Sequence, residues 1–372
     1  MILGSQKVDS DLSRAASTQW LGLGGTEPCG SVLHETFAAI CFRSEKSDTP
    51  APERRDGMDA LTIGEALVEF VRKGRDSPHY TTGEYAGPFP SGAPAIFADA
   101  CARLGLKSGI IGAIGKDDFG RLLSQRLGND GVNIAHLRTN LAYTTGIAFV
   151  TYYSDGTRQF LYHLKRSAAA QVKPTDVQED FVKSFRVLHI MGSTLSLGDS
   201  TRKACYKAAR IANRSGMTIT YDPNLRAELL EPKLMRKISK PILNVANIVM
   251  PSKAELFDLT GEITIEEASQ QIFNYGAENL IVKLGNEGSV AITKQGRTFE
   301  PAYDVQEADP TGAGDAFDAA IIHGYLRKKT PGALLDFANA VGALKVTKVG
   351  PMEVPASISE VTSFMRELKK KS

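Results

Sequence analysis

The stretch EADPTGAGDAFDAA, residues 307–320, sets small residues between two aspartates and runs into an apolar, Ala-rich segment that reads as a helix. Thr311, Gly312, Ala313 and Gly314 offer nearly bare backbone where that helix would begin. The first N–H groups of a helix have no partner inside it, so such a turn closes readily on an anion, phosphate above all. It is not a Walker A loop, because no G-x-x-x-x-G-K-[ST] occurs there. Asp315, directly after the glycines, has two readings on residue type. It is either a helix cap, a role aspartate fills well, or a general base that takes a proton from a hydroxyl held against the phosphate.

Outward from this stretch, the bulk properties exclude several classes. A chain of 372 residues that is 42% hydrophobic can bury one large α/β core with an appendage, or two ordinary domains. A net charge of +2 leaves no electrostatic case for nucleic acid, and the largest basic cluster, Lys369 to Lys371, reads as the last turn of a surface helix. Cys29, Cys41, Cys101 and Cys205 form no C-x-x-C pair, which points to a reducing compartment rather than a disulfide scaffold. The six histidines show no H-x-H or H-E-x-x-H spacing, so a transition-metal site is not expected. No apolar run reaches the roughly 18 residues of a membrane span, and the N-terminus lacks the basic start and apolar core of a secretory signal. The expectation is a soluble, cytoplasmic protein with no membrane partner.

Residues 1–57 are rich in Ser, Thr, Gly and charge and end in SEKSDTPAPERRDG, the composition of a disordered extension, with Met58 as a natural start. The GLGG at 22–25 follows no strand pattern and does not complete G-x-G-x-x-G. From residue 59 strands and helices alternate. Strands are expected at 60–64, 108–115, 187–192, 217–222, 247–251, 279–285 and 289–293. Helices are expected at 93–104, 119–127, 199–214, 252–259, 265–275, 314–326, 332–345 and 359–370. That rhythm implies a mostly parallel sheet covered on both faces. Residues 144–164 break it, with two β-rich runs joined by Ser154-Asp155-Gly156-Thr157, a strong hairpin pattern. With the extended stretch 69–90 they form a small sheet outside the main one, a natural lid, and no second globular domain is expected.

PTGAGDAFDAA closely resembles the D-T-x-G-A-G-D signature of the ribokinase/PfkB family of sugar kinases, with Asp309 at its first acidic position and Asp315 at its last. The resemblance runs from about residue 59 to about residue 355. It implies a ribokinase-like three-layer α/β sandwich with a small β lid, within a kinase domain at 58–372. It also implies an ATP-dependent carbohydrate kinase using Mg²⁺. Asp315 would be the base, the amides of Gly312, Ala313 and Gly314 the anion hole, and Thr311 a nucleotide contact.

Other segments resemble further parts of the same family. IGEALVEF (63–70) is similar to its opening strand, with Glu65 as a sugar contact. FPSGAPAIFADACARLG (89–105) is similar to G-G-A-P-A-N-x-A, where Gly92 fits and Ile96 replaces the Asn. PSKAEL (251–256) resembles N-x-x-E, which organises Mg²⁺ and its waters; Glu255 matches and Ser252 replaces the Asn. VKLGNEG (282–288) implies Gly285 and Gly288 against ATP, and FANAVGALKVTKVGP (337–351) implies Asn339 and Ala343 beside the adenine. RQFLYHLKRSAA (158–169) is similar to the sugar-reaching segment of 2-keto-3-deoxygluconate kinases. There Tyr162 and Ser167 match, and Leu164 stands where an Arg is usual, followed by Lys165 and Arg166. YDPNLR (221–226) resembles a strand end shared by fructokinases and 2-keto-3-deoxygluconate kinases, bringing Asp222, Asn224 and Arg226 to the sheet's carboxyl edge. A surface salt bridge is the bland reading of Arg226.

The expected activity is therefore transfer of phosphate from ATP to a hydroxyl of a small sugar or sugar acid. Alternatives are an idle sugar sensor on a kinase fold and a nucleoside kinase. The resemblance also allows a monovalent cation such as K⁺ near Asp309. An exposed hairpin edge would suit a lid-mediated homodimer.

Overall fold

The first strand, β1 (Met58–Ile63), sends Ala60 into one apolar core and Leu61 and Ile63 into another. Alternate residues of a strand point to opposite faces, so a strand covered on both sides reads as a near-continuous apolar run. β4 (Ser108–Gly115), SGIIGAIG, shows this fully: all eight residues are buried, with Ile110 and Ile114 in the first core and Ile111 and Ala113 in the second. The computed structural model describes residues 57–368, apart from 227 and 356. The expectations for 1–56 and for the basic run 369–371 lie outside the described residues.

Between these strands lie β2 (Leu67–Arg72) and β3 (Tyr85–Ser91). β5 (Asn133–Asn140), β6 (Gly146–Tyr152), β7 (Arg158–His163), β8 (Phe185–Met191) and β9 (Thr218–Asp222) follow. The last four are β10 (Ile248–Val249), β11 (Asn279–Lys283), β12 (Gly288–Thr293) and β13 (Gly296–Pro301). Nine of them form one sheet in the order β13-β12-β11-β10-β9-β8-β1-β4-β5. It is parallel from β11 to β5, with β12 and β13 added antiparallel at one edge. The helices Ala93–Arg103, Ala313–Leu326 and Pro331–Val346 cover one face, and Asp199–Arg214, Pro232–Leu243 and Ile265–Tyr275 cover the other. This is the three-layer α/β sandwich that the sequence pattern predicts.

The lid is a separate four-stranded sheet in the order β3-β2-β6-β7. β6 and β7 form the expected hairpin, closed by the Tyr153 N–H on the Thr157 carbonyl at 2.9 Å. Phe70 of β2 stacks on Phe149 of β6 at 5.3 Å and meets Phe119 edge-on at 5.9 Å, which anchors the lid to the helix Asp118–Asn129.

Some elements escape the sequence pattern. β5 is a half-polar edge strand, NIAHLRTN, and β13 is a largely exposed edge strand, GRTFEP. Neither shows a buried strand's apolar run. The helix Pro232–Leu243 begins on one proline and contains another, Pro241, so it reads as broken. Gly192, expected to end a strand, instead opens the short helix Gly192–Ser196 directly after β8.

Candidate active site

β1 is where the strand order reverses, with β4 on one side and β8 on the other. Ligands of open α/β sheets bind beyond the carboxyl ends of strands at such a point. A cavity of about 340 Å³ lies there under the lid, lined by Glu65, Gly92, Arg158, Tyr162, Asp222, Asn224, Arg226, Glu255 and Asp315. A second, of about 290 Å³, is lined by Gly285, Gly288, Phe317, Asn339 and Ala343. Lys283, Gly285, Pro310 and Gly314 line both, so the glycine turn is the wall where the two spaces meet.

The helix Ala313–Leu326 has Gly312 as its N-cap, at φ 87, with no side chain capping it. A side chain there is excluded twice: φ lies in the left-handed region, and a Cβ would stand 2.3 Å from the Pro351 carbonyl oxygen. The Ala313 N–H reaches back to the Pro310 carbonyl at 3.3 Å, and the amides that follow it in the first turn are left for an external acceptor. The helix-cap reading does not hold for Asp315. It stands three residues past the cap, and its Oδ1 accepts from Asn224 Nδ2 at 3.2 Å instead of from a helix amide. Burial, reinforced by Asp222, pushes its pKa up to about 7 against the opposing pull of Arg226 and Lys283. A carboxyl poised there is suited to base chemistry at neutral pH.

Lys283 is the residue sequence reasoning missed on this side. Its ammonium lies 3.0 Å from Asp222 Oδ2 and 3.3 Å from Asp318 Oδ1 at the end of the otherwise apolar β11. Burial opposes its charge, but Asp222 and Asp318 outweigh burial and hold its pKa above the ordinary lysine value. Asp222, for its part, is raised by burial, but Lys283, Asp318 and His189 together outweigh that and leave it below the usual carboxylate range. In VKLGNEG the glycines drew attention, yet a lysine closing a buried strand was the sign, since such a charge needs partners. Asn224, at φ 39, donates its backbone N–H to Asp222 Oδ1 at 3.1 Å, which holds its side chain toward Asp315.

On the sugar side, both oxygens of the buried Glu65 accept hydroxyls, from Ser193 and Thr194, each at 2.7 Å. Gly92, at φ 107, lets the start of the helix Ala93–Arg103 close on the Glu65 carbonyl, which a Cβ would meet at 2.5 Å. Glu69 was also missed. It is buried in the cavity wall, one oxygen accepting from Ser91 Oγ at 3.3 Å and the other without a partner. Burial, aided by Asp309, pushes its pKa up to about 8. Tyr162 stacks on Phe160 at 5.1 Å, with the rings 8° from parallel.

Arg226 is half-buried and donates to the Leu225 carbonyl at 3.0 Å; among the described residues it makes no salt bridge, surface or otherwise. Arg158 lines the cavity and has no carboxylate partner among them either. Leu164 and Ile96 contribute apolar wall, while Lys165 and Arg166 are exposed. Ser167 is not brought to the cavity lining: it is buried in a turn, with its hydroxyl on the Leu164 carbonyl at 2.8 Å.

Glu255 does two backbone jobs. One oxygen accepts from Ser252 N at 2.8 Å, in a capping box at the start of the helix Lys253–Thr260, and the other from Leu225 N at 2.9 Å. Carboxylate oxygens have further lone pairs, and Glu255 still lines the cavity. No group of three or more His, Cys, Asp or Glu able to hold a metal occurs among the described residues. That donor set fits Mg²⁺, which is usually carried by phosphates and water with one or two carboxylates nearby. In the second cavity the Asn339 amide is fully engaged, accepting from Ser289 Oγ at 2.8 Å and donating to the Glu300 and Pro301 carbonyls at 3.0 and 3.2 Å. It shapes that wall by joining the helix Pro331–Val346 to β12 and β13.

Asp309 organises the turn before the helix. Oδ1 accepts from Thr311 N at 2.9 Å and from Tyr152 Oη at 2.7 Å, and Oδ2 from Gly350 N at 2.9 Å. Thr311 Oγ1 shares a hydrogen bond with the same Tyr152 hydroxyl at 2.6 Å.

An uncapped helix start between a polar, lidded cavity and a second groove, in a sheet with this strand order, defines a small-molecule kinase. The chain belongs to the pfkB family of carbohydrate kinases, whose family model matches residues 59–357. It is 31% identical to probable fructokinase-4 of Arabidopsis thaliana, across 82% of this chain and 96% of that protein. A putative ribokinase II from E. coli, solved with ATP and Mg²⁺, superposes with a TM-score of 0.78 at 37% identity, across 83% and 99% of the two chains. A fructokinase double mutant from Vibrio cholerae O395, solved with fructose, ADP and potassium, gives 0.72 at 27%, across 83% and 99%. The chain is thus a sugar kinase that uses ATP. No helix among the described residues is long and apolar enough to cross a membrane.

Proposed function

We propose that this kinase phosphorylates a hydroxyl of a small sugar or sugar acid, fructose-like or 2-keto-3-deoxygluconate-like, with Asp315 as general base. The observation that supports this most directly is the position of Asp315, buried beside Gly314 where the two cavities meet. ATP would take the groove past Gly285 and Gly288, and the sugar the space under the lid. Asn224 holds Oδ1 of Asp315, leaving Oδ2 to accept the proton of the attacking hydroxyl. The amides that follow Gly312 receive the charge that spreads over the transferring phosphoryl group, and Lys283 and Arg226 bring positive charge to the same wall. Such transfer depends mainly on positioning and electrostatics. Mg²⁺, when bound, would neutralise phosphate charge, with Glu255 holding one of its waters. The Tyr152 bridge ties the lid to the catalytic turn and favours exclusion of water.

Two observations bear on the acceptor. The relatives named above include fructokinases, which favours a ketose. Arg158 and Arg226 both line the cavity, with their guanidinium groups 5.4 and 6.0 Å from the Phe160 ring and no carboxylate partner among the described residues, and they favour an acceptor that carries its own carboxylate. The test is release of ADP with a panel of fructose, ribose, 2-keto-3-deoxygluconate and nucleosides. Turnover with a sugar or sugar acid is expected. Sugar binding without ADP release, or turnover confined to nucleosides, would overturn the reading.

A further inference from the structure

Lys345 is the one fully buried lysine among the described residues, and the chemistry above does not use it. It stands in the last turn of the helix Pro331–Val346. Its Nζ donates to the Asp309 carbonyl at 2.8 Å and to the Lys348 carbonyl at 3.2 Å. Around it two loops are joined. Ala308 N and Asp309 N both donate to the Val346 carbonyl, at 2.7 and 3.0 Å, and Gly350 N donates to the Asp309 carboxylate. Carbonyl oxygens converging beside a carboxylate are a donor set that suits a hard cation. Here a side chain of the protein has taken those oxygens. Burial pulls the Lys345 amine below the ordinary lysine value, and the Asp309 carboxylate acts most strongly against that pull.

The residues therefore do not fit the monovalent cation that the sequence resemblance allows near Asp309, because an amine on a tether already occupies the carbonyls that would hold it. We propose that Lys345 is a built-in substitute for a monovalent cation. It fixes the 308–312 turn, and with it the anion hole, so that the enzyme works without added K⁺. An ammonium group and a potassium ion carry the same charge and are of similar size, so one can do the other's structural work. This rests on the kinase reading for its activity arm only.

The experiment compares the wild-type chain with Lys345→Ala and Lys345→Met in K⁺, NH₄⁺, Na⁺ and choline salts at constant ionic strength, following both ADP release and the thermal unfolding midpoint. Wild-type turnover and midpoint should be the same in K⁺ and choline, to within about twofold in rate, because ionic strength is held fixed. In choline, Lys345→Ala should lose about tenfold or more in turnover as the anion-hole turn loosens. It should recover in K⁺ or NH₄⁺, with a midpoint that rises with those ions and not with choline. Lys345→Met fills the space without charge and should recover less. A wild-type enzyme activated severalfold, or specifically stabilised, by K⁺ overturns the proposal. So does a Lys345→Ala protein that responds to neither K⁺ nor NH₄⁺ in either readout. If the variants do not fold, the wild-type salt series still decides. If no sugar is turned over, the midpoints still decide, and that failure counts against the kinase reading alone.

Discussion

Tyr152 Oη donates to Asp309 Oδ1 across 2.7 Å, joining the last residue of a lid strand to the acid that opens the glycine turn. The bond links two parts of the chain 157 residues apart, so the position of the lid and the shape of the glycine turn are set together. Tyr152→Phe removes this hydroxyl and leaves Asp309 its two backbone donors, Thr311 N and Gly350 N. A hydrogen bond to a charged group contributes about 1.5–3 kcal/mol. A drop in kcat/KM of roughly tenfold or more is expected, since about 1.4 kcal/mol is a factor of ten. Steady-state ADP release checks it, and unchanged kcat/KM would show that the bridge does not couple lid to chemistry.

Asp315→Asn keeps the shape of the side chain and removes the proposed base. Turnover should fall by roughly 10²–10⁴, the usual worth of a general base, with ATP affinity by calorimetry nearly kept. In the wild-type enzyme kcat/KM should fall as pH drops through about 7, where Asp315 takes up a proton. Stability runs the other way. A carboxyl whose folded pKa is raised from 3.8 to about 7 binds more protons folded than unfolded between those values. Its contribution therefore falls as pH rises through that window. Asp315→Asn should be more stable than wild type above pH 7, by on the order of a few kcal/mol, and equal to it below about pH 4. Chemical denaturation at both pH values reads the difference.

How much of this was legible in the sequence depended on periodicity and on which residues stood out. Buried parallel strands such as SGIIGAIG announce themselves by an unbroken apolar run, and the lid hairpin by its Asp-Gly turn. Edge strands β5 and β13 did not, because half their side chains face water. The glycine-turn motif set Asp315 close behind Gly312, and the separate match at YDPNLR put Asn224 at the sheet's carboxyl edge, where the structure bonds it to Asp315. Lys283, Glu69 and Arg158 were not foreseen as site residues, because each is an ordinary charge on a strand and its role comes from what tertiary packing sets beside it. Ser167 shows the converse, since matching a motif did not stop its hydroxyl from closing a local turn.

Arg158→Met tests the acceptor. The methionine keeps most of the bulk and loses the guanidinium. If the acceptor carries a carboxylate, losing a charge-assisted hydrogen bond should cost about 10–100-fold in kcat/KM, mostly through KM. A neutral ketose should be affected much less. The ratio of the two specificity constants, in wild type and variant, is the measurement; a ratio that does not move would remove the argument for a sugar acid.

Gly312→Ala adds one methyl group where none fits. At φ 87 an L-residue is strained by about 1–2 kcal/mol. The Cβ would also lie 2.3 Å from the backbone oxygen of Pro351, which has no rotamer with which to move aside. The turn must shift, and the helix amides move with it. A lower unfolding midpoint is expected together with a loss of turnover larger than that loss of stability explains at a temperature where the variant is folded. Wild-type turnover in a folded Gly312→Ala protein would show that the anion hole tolerates displacement.

Removing divalent metal should separate chemistry from folding. The described residues contain no three-ligand metal cage, and Glu255 spends one lone pair on Ser252 N and another on Leu225 N. Nothing among the described residues ties folding to a bound divalent ion, unlike small domains built around one. With excess chelator, ADP release should vanish and return on adding Mg²⁺, while the unfolding midpoint without nucleotide stays where it was. Glu255→Gln sharpens the point. It keeps one acceptor oxygen and loses the charge, so it should raise the Mg²⁺ concentration needed for half-maximal rate. It should also lower the midpoint, because one of the two N–H donors, Ser252 N or Leu225 N, loses its acceptor, at a cost of about 1–3 kcal/mol. A variant that lost stability with no change in Mg²⁺ requirement would leave Glu255 with its backbone role alone.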